Sequence, residues 1–523
     1  MNKGVEQVTA RRHRMMVAIV LAACTTLALS AAEIAARWLD GYRIGTFRLE
    51  ARLDRLRSAD VERGQGLHKW RAGTDAWPYV EQLAVAPGVN RNWFLLSPPD
   101  RHLPPPDTDL AARARRYPSI GLEANYEWNW NSVVRAVCKG YDGYENTFNQ
   151  LDDMFVFDPV DGSDFPTFRF LQRASYPSGL KTNAFGWRSS DLPLNKPLHT
   201  VRIAFVGAST TVSPHAELYS YPELVGLWLE GWAQMRHPGL SIEVINAGRE
   251  AINSRSIQAI VRQELRPLEP DLVLYYEGAN QFWPADFVRA HPPIFSRLSG
   301  VSRSLLASHS AIGRRLENLL KPLAVPGSEP SKPTLTVDWP RDLDEQNPDL
   351  SDPRLPTQLP RILADLETIR QTLEADEGQF VMTSFNWLVY PGMMLDPRRD
   401  SSLFAYLNTK YGGFTYAHMR RYLDFQNRVF RIYATEHHLD FIDVAGQLPR
   451  DPRLFDDAIH VTRAGMYLQS WVVFNGLVPI IERRLASHEW PRPARHILAR
   501  HPAFSGRRKV LRSEILAACD PPR

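Results

Sequence analysis

The chain has 523 residues, 44% of them hydrophobic and 11% aromatic, which is enough to bury one large core or two smaller ones. Its 62 basic and 58 acidic residues leave a net charge of +4, too balanced to argue for a nucleic-acid partner. Cysteine is confined to Cys24, Cys138 and Cys519, and no Cys/His cluster has metal-ligand spacing, so neither a metal nor another cofactor is expected.

Residues 1–14 carry Arg11, Arg12 and Arg14 and precede 15–32, a stretch with no charged side chain; Glu33 and Arg37 then restore charge. Eighteen uncharged residues meet the lower length limit for a membrane-spanning helix. Basic residues before it put residues 1–14 in the cytoplasm, make 15–36 a single-pass inner-membrane anchor, and send the rest to the periplasmic side. The competing reading is a cleaved signal peptide, and Leu21-Ala22-Ala23-Cys24 has the look of a lipoprotein cleavage box. Apolar sequence continues past Cys24, which favours the uncleaved anchor. An oxidising compartment would leave Cys138 and Cys519 free to pair, provided that the fold brings their Cα atoms close enough.

Residues 37–116 read as a stalk and linker: a charged, helix-prone stretch around 48–63, then Pro98, Pro99, Pro104, Pro105 and Pro106. Residues 117–180 form an accessory region rich in aromatics, among them Tyr126, Trp128, Trp130, Tyr141, Tyr144, Phe155, Phe157 and Phe168. They suit a small β-rich unit, where strand aromatics serve more often as core than as a sugar-binding platform.

Asn183-Ala184-Phe185-Gly186-Trp187-Arg188 leads into the main domain, 181–487. Predicted strands at 201–206, 241–246, 271–276, 379–385 and 439–444 alternate with predicted helices at 221–237, 255–265, 359–375, 416–437 and 463–485. Five parallel strands with intervening helices describe a flavodoxin-like three-layer α/β/α sandwich. Two insertions interrupt it: the Pro-rich 283–358, and 386–415 with Trp387, Tyr390, Pro391, Met393 and Met394. Both leave the sheet near its active end, so each reads as a lid or as surface decoration. The basic end, 488–523, contains Arg507-Arg508-Lys509 and reads as a solvated tail, with anionic lipid contact as the alternative.

Four short blocks carry the chemistry. Phe205-Val206-Gly207-Ala208-Ser209-Thr210-Thr211 follows the first strand of the domain, and Ile245-Asn246-Ala247-Gly248 follows the second. Tyr275-Tyr276-Glu277-Gly278-Ala279-Asn280 follows the third, and Phe455-Asp456-Asp457-Ala458-Ile459-His460 precedes the last helix. A serine hydroxyl needs a neighbouring base to become a nucleophile, and Asp457 three residues before His460 can orient that base. Each block alone fits a helix cap or a plain turn; their order and their places after strands give them weight.

This order of Ser, Gly, Asn and Asp-x-x-His resembles the SGNH/GDSL hydrolases, over about residues 181–485. The resemblance implies a catalytic triad of Ser209, His460 and Asp457, and an oxyanion hole built from the backbone N–H groups of Ser209 and Gly248 with the Asn280 side chain. Two positions depart from the family pattern: Ala208 precedes the serine where the family often has Asp, and Gln281 stands where Asp often follows the asparagine. The expectation is a membrane-anchored, extracytoplasmic serine esterase hydrolysing acyl, above all O-acetyl, esters of envelope or exported polysaccharide or of another ester substrate. An O-acyltransferase with the same triad is one alternative, and a catalytically silent binding or scaffold protein that keeps the fold is another. Protein partners are not legible.

Overall fold

The computed structural model describes residues 2–39, 44–45, 47, 76–96, 98–99, 108–116, 126–139, 151–158, 166–176, 180–213, 217–281, 309–313, 315, 339–389, 416–499 and 506–519. The charged stretch at 48–63, Tyr141, Tyr144 and most of the two insertions lie outside them. The chain divides into two units, residues 1–59 with 290–333, and 60–289 with 334–523.

In the first unit, Asn2–Leu39 is one continuous helix. Its segment His13–Leu39, 27 residues, is long and apolar enough to cross a membrane. Near its end, Arg37 pairs with Glu33 at 2.8 Å, and Glu33 accepts hydrogen bonds from Ser310 Oγ (2.8 Å) and from the N–H groups of Ala311 (2.7 Å) and Ile312 (3.1 Å). A carboxylate there satisfies the free donors of a short helical turn.

The second unit holds two sheets. The smaller consists of β1 (Tyr126–Asn129), β2 (Asp153–Phe157), β3 (Phe168–Phe170) and β9 (Arg508–Leu511). The larger comprises β4 (Thr200–Gly207), β5 (Ser241–Asn246), β6 (Leu272–Tyr276), β7 (Gln379–Thr383) and β8 (Asp440–Ile442), in the order β5-β4-β6-β7-β8 with every pair parallel. This is the flavodoxin-like α/β arrangement expected from the alternation of apolar runs and helical periods. All residues of β4 and β6 are buried, as strands covered on both faces must be. One helix layer, Tyr221–Arg236 with Arg463–Ala486, packs Trp228, Trp232 and Trp471 against one face. The other, Ser254–Ile260 with Leu359–Glu374 and Tyr416–Glu436, packs Ile257, Leu366 and Phe430 against the opposite face. Arg463–Ala486 also has the length and composition of a span, but 78% of its apolar window is buried inside this unit, which makes it a core helix.

Two expectations are corrected. Part of the stalk and linker is core: Phe94 is fully buried, with its ring centroid 5.7 Å from that of Trp471 and 6.1 Å from that of Trp228. The basic tail is not merely solvated, because Arg508–Leu511 forms β9, antiparallel to β2 with Val510 opposite Met154, and leads into the helix Arg512–Ala517. Val510 is buried while Arg508, Lys509 and Leu511 stay exposed, so a single apolar side chain among cations anchors the strand. Cys519, two residues beyond that helix, is bonded to Cys138 on the helix Trp130–Lys139. The accessory aromatics Tyr126, Trp128, Phe155 and Phe157 are buried, as expected of core residues, which leaves them no flat face for a sugar.

Candidate active site

At the end of β4, Ala208 turns the chain directly into the short helix Ser209–Val212, so Ser209 occupies its first position. Only glycine fits at Gly207, where a Cβ would lie 2.1 Å from Thr211 Oγ1 and 2.2 Å from the Tyr276 carbonyl oxygen. First-turn N–H groups have no acceptor within their own helix, so the Ser209 turn presents a backbone donor beside the hydroxyl.

Four side chains hold this turn. Arg188, from the segment that leads into the domain, is buried and donates to the carbonyl oxygens of Val212 (2.8 Å) and Ser213 (2.9 Å), and also to that of Glu217. Those bonds support Ser213 in the left-handed region (φ 73°), where a residue with a side chain is strained. Asn246 Nδ2 donates to the Thr211 carbonyl (3.0 Å), and Thr211 Oγ1 donates to the Tyr276 carbonyl (3.1 Å). The fourth side chain is Glu277, which accepts the Ala208 N–H (3.2 Å).

The histidine block is a tight loop closed by a bridge between Phe455 and Val461, with the Asp456 N–H donating to the His460 carbonyl (2.8 Å). Asp457 Oδ1 accepts the N–H groups of Ile459 (2.8 Å) and His460 (2.7 Å), which fixes the carboxylate inside its own loop. Asp457 Oδ2 lies 2.7 Å from His460 Nδ1, and His460 Nε2 lies 2.8 Å from Ser209 Oγ. The carboxylate can only accept, so Nδ1 carries the proton and Nε2 accepts from the serine hydroxyl. Burial alone would lower the His460 pKa. The hydrogen bond and charge of Asp457, helped by Glu250 and Asp456, outweigh it and raise the value above 6.5. Asp457 is in turn held below the ordinary carboxylate range, because its bonds to His460 and the loop amides outweigh the cost of its burial.

Asn280 Nδ2 is buried and makes no hydrogen bond among the described residues. An unpaired buried donor costs about 1–3 kcal/mol, and Asn280 is tied to the nucleophile turn through Glu277, which accepts both its backbone N–H (2.7 Å) and that of Ala208 (3.2 Å). Gly248 behaves differently from expectation: its N–H already donates to Asn246 Oδ1 at 3.0 Å and would serve an oxyanion only by sharing or exchanging that bond. Its lack of a side chain matters as much, since a Cβ would sit 2.8 Å from Val212 N and 2.9 Å from Thr211 Cγ2. Gln281, at the position that departs from the family pattern, is buried; it accepts from Ser254 Oγ (3.2 Å) and donates to the Tyr275 hydroxyl (3.3 Å). There it ties block three to the helix that follows block two.

A cavity of about 230 Å³ opens on Ser209 and His460 and is lined further by Thr210, Ser213, Glu250, Asp456 and Val461. No lysine or arginine lines it among the described residues. The residue after Gly248, Arg249, pairs with Glu264; Arg169 of β3 lies 3.6 Å from Glu264 and grips Glu127 of β1 at 3.0 and 3.1 Å. The accessory sheet thus buttresses block two through a buried ion chain.

The fold joins Ser209, His460 and Asp457 by hydrogen bonds and links the Asn280 backbone to the Ser209 turn through Glu277, while sequence reasoning missed Arg188, Asn246, Glu250 and Glu277. Glu277 had a visible signal, as a charged residue directly after a wholly apolar strand.

No protein-family model and no curated protein matches the chain. Solved structures do resemble it. An acetylxylan esterase from Geobacillus stearothermophilus is 15% identical, with 53% of this chain and 94% of that chain covered and a TM-score of 0.30. An α/β hydrolase enzyme from the metagenome of Lake Arreo, Spain, is 14% identical with the same coverage and a TM-score of 0.28. A GDSL-like lipase from Bacteroides thetaiotaomicron is 11% identical, with 54% of this chain and 88% of that chain covered and a TM-score of 0.25.

Proposed function

We propose that this chain is an SGNH-type serine ester hydrolase that removes short acyl groups, acetyl above all, from a hydroxyl-rich carbohydrate on the extracytoplasmic side of a membrane. The observation that carries the reading is the unbroken relay Ser209–His460–Asp457, with bonds of 2.8 and 2.7 Å.

In this mechanism Ser209 Oγ attacks the ester carbonyl carbon as His460 Nε2 takes the hydroxyl proton. The carbonyl oxygen becomes an oxyanion that meets the Asn280 amide and the Ser209 N–H. Collapse of this intermediate breaks the bond to the alcohol, which leaves with the proton from Nε2, and the acyl group stays on Ser209. Water then attacks the acyl-enzyme, gives its proton to Nε2, and the acid departs as Ser209 regains the proton. Asp457 stabilises the imidazolium in both halves.

The substrate class rests on the cavity. Its volume of about 230 Å³ suits a short acyl group, being smaller than pockets for drug-sized ligands, which span roughly 300–1,000 Å³. Ser213, Thr210, Glu250 and Asp456 offer hydroxyl and carboxylate groups, which suit neutral hydroxyls and repel anions. The extracytoplasmic placement is supported by the apolar N-terminal helix and by the Cys138–Cys519 bond, which an oxidising compartment preserves.

The test is full-length protein in detergent micelles, given an acetylated neutral polysaccharide, with free acetate and sugar acetylation followed together. Release of acetate that Ser209→Ala abolishes supports the reading. Transfer of acetyl to a second sugar with little free acetate would replace it with an acyltransferase, and no turnover of any short acyl ester would point to a silent scaffold.

A further inference from the structure

Glu277 touches both the turn that carries Ser209 and the loop that carries Asn280. It is buried directly after β6, and it accepts three backbone hydrogen bonds from two separate blocks. Oε2 accepts from the Ala208 N–H (3.2 Å), one residue before the nucleophile. Oε1 accepts from the N–H groups of Ala279 (2.8 Å) and Asn280 (2.7 Å). Each oxygen therefore serves a different block, and the planar carboxylate sets the spacing between them.

The neighbours of Glu277 show that this arrangement is not a generic way to fill the core. The adjacent Gly278 is packed so closely that a Cβ would lie 2.5 Å from Gln426 Nε2 and 2.7 Å from Phe385 Cβ, so the loop cannot slide. Gln426 Nε2 donates to the Gly278 carbonyl (3.3 Å) while its Oε1 accepts from the Tyr422 hydroxyl (2.8 Å). Among the described residues no lysine, arginine or histidine is bonded to the Glu277 carboxylate; its partners there are backbone amides. A buried carboxylate is costly to desolvate, and burial raises the Glu277 pKa to about 7 against the pull of the amides of Asn280, Ala279, Ala208 and Gly278. An amide side chain in the same place would offer one acceptor and one donor. It could hold the Asn280 loop or the Ala208 turn, but not both.

We propose that Glu277 is a positioning residue that fixes the Asn280 amide relative to Ser209, so that the two meet the same oxyanion. The proposal rests on the serine-esterase reading and concerns the transition state, because the carboxylate touches neither the alcohol nor the acyl chain. Its loss should therefore lower kcat and leave KM nearly unchanged.

The experiment uses full-length protein in micelles and four forms: wild type, Glu277→Gln, Asn280→Ala and the double variant. Each is assayed for hydrolysis of a soluble acetyl ester, labelling of Ser209 by a fluorophosphonate, and thermal unfolding. Removing one oxyanion donor costs about 10²–10³-fold in kcat, so Asn280→Ala should fall in that range and Glu277→Gln should lose roughly 10- to 100-fold with KM within about twofold. The double variant should be no slower than Asn280→Ala alone, because Glu277 acts through that amide. A Glu277→Gln enzyme with wild-type kcat, a loss carried by KM, or a multiplicative loss in the double variant overturns the proposal and leaves the esterase reading intact. If Glu277→Gln does not fold, Glu277→Asp takes its place, and failure of both to fold overturns the proposal in favour of a purely structural role. A wild-type protein that neither turns over the ester nor labels on Ser209 overturns both readings at once, through the serine and not through Glu277.

Discussion

His460 Nε2 lies 2.8 Å from Ser209 Oγ although 251 positions separate the two residues in the chain. The Ser209 turn hangs from the end of β4 and the His460 loop precedes the helix Arg463–Ala486, so the contact depends on the sheet and that helix being packed together. Because Asp457 and not Asp456 bonds to the imidazole, the sign of the pH response is set. Attack needs neutral His460, whose pKa is raised above 6.5, so kcat/KM should fall as pH drops through a midpoint above that value. Asp457→Asn removes the group that raises it. The remaining activity should be lower, and its acid limb should move to lower pH. A pH–rate profile of both forms checks this, and an unshifted limb would detach Asp457 from the histidine.

Gly248 is predicted to tolerate no side chain. In Gly248→Ala the new Cβ would meet Val212 N at 2.8 Å and Thr211 Cγ2 at 2.9 Å, and neither neighbour is the free end of a flexible chain. The turn that carries Ser209 must shift, and a misplacement of about 1 Å can cost about 10²-fold. Fluorophosphonate labelling rates should fall with turnover, and an unaffected labelling rate would show that the turn has not moved.

Arg188 holds the far end of the same turn through the carbonyl oxygens of Val212 and Ser213. Arg188→Met removes the charge and leaves those carbonyls unpaired, at about 1–3 kcal/mol for each buried group left unsatisfied. Stability should drop by that order and kcat by more than KM rises. Chemical denaturation and steady-state kinetics measure the two effects, and an intact kcat would limit Arg188 to stability.

The Cys138–Cys519 bond joins the helix Trp130–Lys139 to the segment that follows the helix Arg512–Ala517. Cys519→Ser should cost about 2–5 kcal/mol, as removal of a native disulfide does in small secreted domains. Activity at low temperature should persist, since neither cysteine lines the cavity. Thiol counting on the unfolded wild type should find Cys24 alone, and three reactive thiols would exclude the bond in the mature protein.

The proposed anchor makes a separate claim. If residues 15–36 span the membrane with Arg11, Arg12 and Arg14 on the cytoplasmic side, the chain should stay with membranes after alkaline extraction. A reporter fused after Arg523 should then be active only outside the cytoplasm. Cleavage before Cys24, with lipid on that cysteine, would make the chain a lipoprotein with the same outward domain. A cytoplasmic reporter signal would remove any exported polysaccharide from reach.

The larger sheet and its helices were legible in the sequence because their signals are local, while Ser209, Asp457, His460 and Asn280 were singled out by the order of four blocks that are each weak alone. Strand and helix periods are set by neighbours a few residues apart, and a glycine or asparagine after an apolar run marks the end of a strand. Tertiary structure alone decided what those signals do together. Phe94 reads as linker until it is seen among Trp228 and Trp471, and Val510 reads as part of a tail until β2 gives it a partner. Glu277 and Arg188 belong to the same class. Their value lies in acceptors and donors contributed by distant segments, and no local pattern records which backbone amide a buried carboxylate will meet once the sheet has closed.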